Sequence, residues 1–97
     1  EAENSSTRLM LCHFDAESRQ YAMKMAYGLR ENGINTEVYP DIKKLKRQLD
    51  YANARKIRYV IVLGSNEMES GSFELKDMFT GEKKACDAST LSSLLQE

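Results

Sequence analysis

The chain has 97 residues, enough for one small domain and no more. Its 14 Lys and Arg residues are balanced by 15 Asp and Glu residues, and a formal net charge of −1 argues at first against a nucleic-acid partner. The longest strongly apolar run, Tyr59–Leu63, is far shorter than a membrane span. Cys12 and Cys86 are too far apart for a redox or zinc motif, and there is one His. We therefore expect reduced thiols, no metal site, no membrane partner and a cytoplasmic location.

The charges are distributed unevenly along the chain. Residues 43–58 contain seven basic side chains and one acid, Asp50, so this block carries +6. The rest of the chain carries −7. Opposed blocks of this kind indicate a polyanionic partner. The basic residues of the block are Lys43, Lys44, Lys46, Arg47, Arg55, Lys56 and Arg58.

The chain begins with a polar segment, Glu1–Ser6, that has no signal-peptide pattern. Its first residue is not Met, which predicts that the chain is a piece of a larger protein. We expect residues 1–6 to be a disordered tail or a remnant of cloning, and residues 7–97 to form the folded domain.

The first elements of the domain are predicted as a strand and a helix. Leu9–Cys12 is a short continuous apolar run, which is typical of a strand buried on both faces. Asp15 is a good helix N-cap, Glu17 suits the first turn, and Gly33 suits a left-handed helix end. The predicted buried face of this helix consists of Ala22, Met25, Ala26 and Leu29.

The second strand and helix follow. Apolar and polar residues alternate over residues 34–39, which predicts a half-exposed strand. Pro40-Asp41 then breaks the chain, and Asp41 is expected to cap a helix. On that helix Lys43 and Arg47 point away from the apolar stripe, so the basic charge lies on its exposed side. The stripe consists of Ile42, Leu45, Leu49 and Ala52.

The rest of the chain is predicted to contain three strands and a last helix. Tyr59–Leu63 is the clearest strand and is expected to be central, with a turn after it at Gly64–Asn66. Residues 73–76 alternate in polarity, and Lys83–Asp87 is predicted to return as the second arm of a hairpin. Asp87 or Ser89 caps the last helix, whose apolar residues are Leu91, Leu94 and Leu95.

The predicted order is therefore β-α-β-α-β-β-β-α. We expect a three-layer α/β sandwich whose mixed five-stranded sheet is flanked by three helices, with the first three strands parallel. Ligands of open α/β sheets bind outside the carboxyl ends of the parallel strands. The segments predicted at that edge are His13-Phe14, Tyr39–Lys44 and Gly64–Glu67.

The sequence offers little support for catalysis within the chain. It contains no GxxxxGK[ST], GxGxxG or HExxH motif. Cys12 and His13 are neighbours on a strand, so their side chains point to opposite faces and cannot form a nucleophile–base pair. We expect Cys12 to be core and His13 to be a structural or solvent-facing residue at the strand end.

A longer pattern adds to this interpretation. Lys44–Gln48 reads KLKRQ and is followed by Tyr51-Ala52, the turn Gly64–Glu67 reads GSNE, and Leu75–Glu82 reads LKDMFTGE. Together with Leu29-Arg30 and Gly33-Ile34, the chain resembles, over about residues 8–96, the C-terminal anticodon-binding domain of class IIa aminoacyl-tRNA synthetases. It is most similar to that of the histidyl-tRNA synthetases.

The resemblance implies a function in tRNA recognition. By analogy, Glu67 and Lys76 contact anticodon bases, and Lys43, Lys44 and Arg47 are candidates for the phosphates. Phe73 and Tyr39 are candidates either for stacking on a base or for packing within the fold. The sequence departs from the family pattern at Cys12-His13-Phe14, where many relatives have a more aliphatic strand end.

The resemblance also implies a parent protein. It would be a homodimeric aminoacyl-tRNA ligase that recognises the histidine anticodon loop and uses ATP and Mg in a catalytic domain outside these residues. The chain itself would hold no catalytic residue, cofactor or metal. One alternative is a regulatory or protein-interaction domain of a synthetase-like paralogue that does not charge tRNA. A weaker one is a small flavodoxin-like enzyme or receiver domain, although no acidic cluster follows the first strand.

Overall fold

A computed structural model describes residues 7–41 and 44–95. The predicted tail, residues 1–6, lies outside the described residues. The described part contains five strands and four helices. In chain order these are β1 (Leu9–His13), α1 (Ala16–Glu31), β2 (Thr36–Val38), α2 (Leu45–Ala54), β3 (Tyr59–Leu63), α3 (Ser65–Ser70), β4 (Ser72–Asp77), β5 (Lys83–Asp87) and α4 (Ala88–Leu95).

The strands form one mixed sheet in the order β2-β1-β3-β4-β5. β1 pairs in parallel with both β2 and β3, as expected of strands joined through helices. β4 is antiparallel to β3 and to β5, which confirms the predicted hairpin. The wholly apolar β3 is the central strand, as predicted.

Helices cover both faces of the sheet, which confirms the three-layer sandwich. Alternate residues of the central strands point to opposite faces. Leu11 and Ile61 pack with α1 and α4, whereas Met10 and Val60 pack with α2. All five residues of β1 are buried because this strand is covered from both sides, which explains its unbroken apolar run.

Local capping sets the ends of α1 as the sequence predicts. The Asp15 carboxylate accepts a hydrogen bond from the Ser18 N–H at 2.8 Å, and this contact lowers the pKa of Asp15. Glu17 occupies the first turn. Past the other end, Gly33 adopts φ 83°, and the Ile34 N–H donates to the Leu29 carbonyl at 3.0 Å.

The last helix is capped by the first of the two predicted candidates. The Asp87 carboxylate accepts from the N–H groups of Ser89 and Thr90, each at 3.0 Å. The Ser89 hydroxyl also donates to this carboxylate at 2.7 Å, and this bond, together with the backbone bonds, lowers the pKa of Asp87. The backbone bonds occupy two of the helix donors that lack a backbone partner.

The number of flanking helices was predicted wrongly. A fourth helix, α3, occupies the segment that was predicted as a turn after β3. It is six residues long, too short for an apolar period to appear in the sequence. Its ends are defined instead by Glu67, whose carboxylate caps the Gly64 N–H, and by Gly71 at φ 74°.

The start of α2 was also predicted wrongly. The helix begins at Leu45, with Lys44 rather than Asp41 at the N-cap position. The chain leaves β2, an edge strand, and must reach a position over the neighbouring β1 before the helix can begin. Lys44 accordingly has an extended backbone, with φ −61° and ψ 149°. The rest of the predicted cap region, Ile42 and Lys43, lies outside the described residues.

The two glycines near the end of α1 should respond oppositely to the same substitution. Gly28 lies inside the helix with no atom within 4 Å of an added Cβ, so Gly28→Ala should stabilise the domain by about 1 kcal/mol. Gly33→Ala should destabilise it by about 1–2 kcal/mol, because φ 83° is unfavourable for alanine. Urea unfolding of both variants measures this, and shifts of the same sign would contradict it.

Candidate nucleic-acid interface

The carboxyl ends of the three parallel strands meet at one edge of the sheet. β1 ends at His13, β2 at Val38 and β3 at Leu63, and the segments that follow them lie side by side. This edge, called the rim below, consists of His13-Phe14, residues 39–41, Lys44 and Gly64–Glu67. Its composition agrees with the prediction.

The side chain of Gln48 attaches α2 to the rim. Its Oε1 accepts from the His13 N–H at 3.1 Å, and its Nε2 donates to the His13 carbonyl at 2.8 Å. The strand pairing of β2 with β1 reaches only Leu11, so Gln48 takes the place of a neighbouring strand residue at His13. Both side chains are fully buried. The basic helix is thereby held at a fixed position along β1.

His13 and Cys12 have structural roles. The His13 ring is buried, and its Nε2 lies 2.7 Å from the Tyr39 carbonyl. A carbonyl only accepts, so this nitrogen carries the proton. Burial raises the pKa of the Cys12 thiol to about 12, so it is not a thiolate nucleophile at neutral pH. The expectation that Cys12 is core is confirmed, and of the two possibilities for His13 the structural one is correct.

The N-terminus of α2 concentrates positive charge. Lys44 occupies the N-cap position, no side chain of the described residues caps the helix, and its first turn has no acid. Lys44, Lys46 and Arg47 line an open depression of about 450 Å³. Asp50 also lines it and lies 4.0 Å from Lys46, a weak pair because both side chains are exposed. Lys43, which was predicted to bind phosphate together with Lys44 and Arg47, lies outside the described residues.

These cations oppose the helix dipole. The N-terminus of a helix carries a partial positive charge, and acidic side chains stabilise it. Asp15 and Glu17 provide such acids on α1. On α2 the positive side chains and the positive end of the dipole are instead placed together, so the helix start attracts anions.

A groove of about 260 Å³ runs between α2 and the β4–β5 hairpin. Its apolar floor is formed by α2 and by the face of β3 that points to α2. Its walls carry two carboxylates and two ammonium groups. The floor residues are Leu45, Leu49, Val60 and Val62, and the wall residues are Glu67, Glu74, Lys76 and Lys83. Glu67 and Lys76, which the sequence nominated as base-contacting residues, thus line the same groove.

Lys76 stands in the middle of this wall. In the sheet register it lies between Val60 of β3 and Lys83 of β5. Two lysines directly opposite each other on neighbouring strands repel. Lys83 approaches Glu74 at 4.0 Å, whereas Lys76 has no ion pair within 4 Å among the residues that the structure describes. Its ammonium group is therefore available to an acceptor that enters the groove.

Glu67 both caps the start of α3 and lines the groove. Its Oε1 accepts from the Gly64 N–H at 2.9 Å, which fixes the side chain at the rim. A Cβ on residue 64 would lie 3.1 Å from that oxygen, so the glycine permits this close approach. A carboxylate has about four lone-pair sites, so capping leaves it able to accept further hydrogen bonds.

The two aromatic residues proposed for stacking are buried. Phe73 is 4% exposed and packs edge-on against Tyr21 on the α1 face, with ring centroids 6.3 Å apart. Tyr39 is 8% exposed and packs edge-on against Tyr51 at 5.2 Å. Of the two roles predicted for these residues, packing is the one observed, because both rings are covered within the fold and neither can stack on a base.

Sequence reasoning missed Gln48, Glu74 and Lys83. Glu74 reaches the groove through the pairing of β4 with β3, and Lys83 through the pairing of β5 with β4. Gln48 had a detectable signal, because it lies beside the apolar stripe of α2, between Leu45 and Leu49. A polar side chain on a buried helix face predicts a specific hydrogen-bond partner.

Comparison with known proteins agrees with this geometry. A model of the "Anticodon binding domain" family matches residues 5–97. The chain belongs to the anticodon-binding domain family. It is similar to the histidine–tRNA ligase of Cytophaga hutchinsonii, with 44% identity over 81 residues that cover 84% of this chain and 18% of the ligase. The histidine–tRNA ligase of Porphyromonas gingivalis is 39% identical over 89 residues, covering 90% of this chain and 20% of that protein.

The fold of this anticodon-binding domain is also found in a solved structure. Apo histidyl-tRNA synthetase of S. aureus superimposes with a TM-score of 0.87 and 27% identity over 99% of this chain and 24% of that one. The chain spans about a fifth of the length of the ligases it matches.

Residues 7–41 and 44–95 contain neither a helix suited to span a membrane nor a metal-binding group. None of their helices combines the length and the hydropathy that a bilayer crossing requires. They also contain no group of three or more His, Cys, Asp or Glu side chains arranged to hold a metal ion.

Removal of the Gln48 amide should destabilise the domain strongly. Gln48→Leu leaves the buried N–H and carbonyl of His13 without a partner, and we expect a loss of about 2–4 kcal/mol in the free energy of unfolding. Gln20→Leu, the same change at an exposed position of α1, is the control and should shift it by less than about 0.5 kcal/mol. Equal effects in urea unfolding would refute this role for Gln48.

Proposed function

We propose that this chain is the anticodon-binding module of a histidyl-tRNA synthetase and that it binds the anticodon loop of histidine tRNA. The observation that carries the proposal is the adjacency of the mixed-charge groove to the cationic start of α2, in a chain of the anticodon-binding family. Single-stranded loops expose the base edges that such a groove can read.

The cations at the start of α2 would bind the RNA backbone. Lys44 and Arg47 flank helix N–H groups that no side chain among the described residues caps. Phosphates find both charge and hydrogen-bond donors there. We extend this role to Lys43, its neighbour in the sequence. Such contacts supply affinity and orientation but carry no sequence information.

The groove would bind a base. Its volume of about 260 Å³ is below the roughly 300–1,000 Å³ of sites that enclose drug-sized ligands, which suits one planar base on an apolar floor. Glu67 would accept hydrogen bonds from base amino or imino groups, and Lys76 would donate to a base carbonyl. These contacts would distinguish one loop sequence from another.

The chemistry of the parent protein would lie outside this chain. We propose that a catalytic domain elsewhere in a homodimeric, cytoplasmic ligase binds ATP and Mg and attaches histidine to the tRNA. The module described here would hold the anticodon loop during that reaction and would itself need no cofactor. The names and lengths of the related ligases support this division.

Reversal of one cation on α2 should weaken RNA binding irrespective of sequence. We expect Arg47→Glu to reduce affinity for histidine and scrambled anticodon stem-loops equally, and to lower the slope of log K against log salt by about 0.7. Lys24→Glu is the control, because Lys24 is exposed on α1, on the opposite side of the sheet.

Filter binding at several salt concentrations measures both quantities. An unchanged slope for Arg47→Glu, or an equal loss for Lys24→Glu, would contradict the phosphate role. If the unsubstituted chain bound no RNA at moderate salt but bound a protein saturably, the chain would have a regulatory function instead.

Removal of the Lys76 ammonium group should mainly reduce discrimination between the histidine anticodon loop and a scrambled loop. Lys76→Ala should lower the preference for the histidine loop over a scrambled loop by about tenfold, because one base contact is lost. Lys76 gives a cleaner test than Glu67, which also caps α3. Lys84→Ala is the control, since Lys84 lines a cavity on the other face of the sheet. Competition titrations measure the preference, and an equal loss of affinity for both loops would count against base reading by Lys76.

A further inference from the structure

An exposed aromatic ring lies at the rim beside the groove. Phe14 directly follows β1 and is 47% exposed, whereas the five residues of β1 are buried. An aromatic ring that remains half in water forgoes part of the free energy of burial. Neither the phosphate contacts proposed at the start of α2 nor the base contacts proposed in the groove involve this ring.

The surroundings of Phe14 hold it in place. Its N–H donates to Ser18 Oγ at 3.0 Å, within the capping box that begins α1. Its ring lies against Gly64, where an added Cβ would be 3.4 Å from ring atom Cε2. The Glu67 carboxylate approaches the same point to 3.1 Å. The ring is thus seated in the space left by a glycine, next to a wall of the groove.

We propose that Phe14 is a stacking platform for an unpaired base of the bound RNA, adjacent to the base in the groove. This inference rests on the proposed function. Every base has an aromatic face, so a stacking site adds affinity with little dependence on sequence. The site is continuous with Glu67 and lies on the edge to which α2 brings its cations. It would replace Phe73 and Tyr39, whose rings are buried.

Among the residues that the structure describes, the other large exposed apolar side chains lie elsewhere. Met23 and Tyr27 are on α1, and Phe79 follows β4. Because β4 is antiparallel to β3, its carboxyl end lies at the edge opposite the rim. Phe79 is 63% exposed and is therefore a matched control: the same residue type, at least as accessible, but at the edge opposite the rim and not among the residues that line the groove.

The chain contains no Trp, so a single substitution introduces a specific reporter. Phe14→Trp should keep or increase affinity for the histidine anticodon stem-loop, and its indole emission should be quenched at saturation because the indole stacks on a base. Phe79→Trp should show no quenching. Phe14→Leu keeps apolar bulk without a π-face and should lose roughly tenfold in affinity with an unchanged salt slope.

Each possible result supports or contradicts the stacking role of Phe14. Unquenched Phe14→Trp emission with saturating RNA, or wild-type affinity of Phe14→Leu, would overturn the stacking role. If Arg47→Glu and Lys76→Ala behaved as expected in the same titrations, the proposed function would survive that failure. If the unsubstituted chain bound no RNA, both would fall. Leu at a half-exposed position preserves the fold, which circular dichroism verifies.

Discussion

Two hydrogen bonds between the Gln48 side chain and the His13 backbone determine where the basic helix lies. The apolar contacts of α2 with the sheet favour burial but are non-directional, so they alone would tolerate sliding along β1. The amide removes that freedom because it matches a specific N–H and carbonyl pair. The cations at the start of α2 and the α2 side of the groove are therefore positioned by the same contact. It also supplies the partner that β2 cannot, since β2 is only three residues long.

The rim and the adjacent groove contain features that a purely structural domain would avoid. α1 begins with an acidic cap and an acidic first turn, whereas α2 begins with cations and no side-chain cap among the described residues. Lys76 and Lys83 face each other across neighbouring strands. An aromatic ring remains half exposed at Phe14. Each feature is unfavourable in the free domain and becomes favourable beside a polyanion with exposed bases, so their placement at the rim and in the adjacent groove supports one function.

Local patterns in the sequence predict most of the fold. The buried run of β1, the Asp15 cap and the apolar β3 were all predicted because each depends on neighbouring residues alone. α3 was missed because six residues show no period, and the start of α2 was misplaced because the path from β2 to the far side of β1 is a tertiary requirement. The meeting of Glu67 and Lys76 in one groove also depends on sheet register. Sequence resemblance nominated both residues, but only the pairing of Val60 with Lys76 explains why they are close.

The distribution of charge over the rim and the groove also explains how RNA would be oriented. At the start of α2, cationic side chains lie beside the positive end of the helix dipole. This end of the helix therefore favours the binding of a phosphate. The groove combines Lys76 and Lys83 with Glu67 and Glu74, and the two carboxylates repel a phosphate while they accept hydrogen bonds from a neutral base. The backbone of a bound loop would therefore lie at the start of α2 and a base would lie in the groove, separated by the width of one helix, ~10 Å. A net charge of −1 conceals this separation, because recognition depends on where each charge lies rather than on their sum.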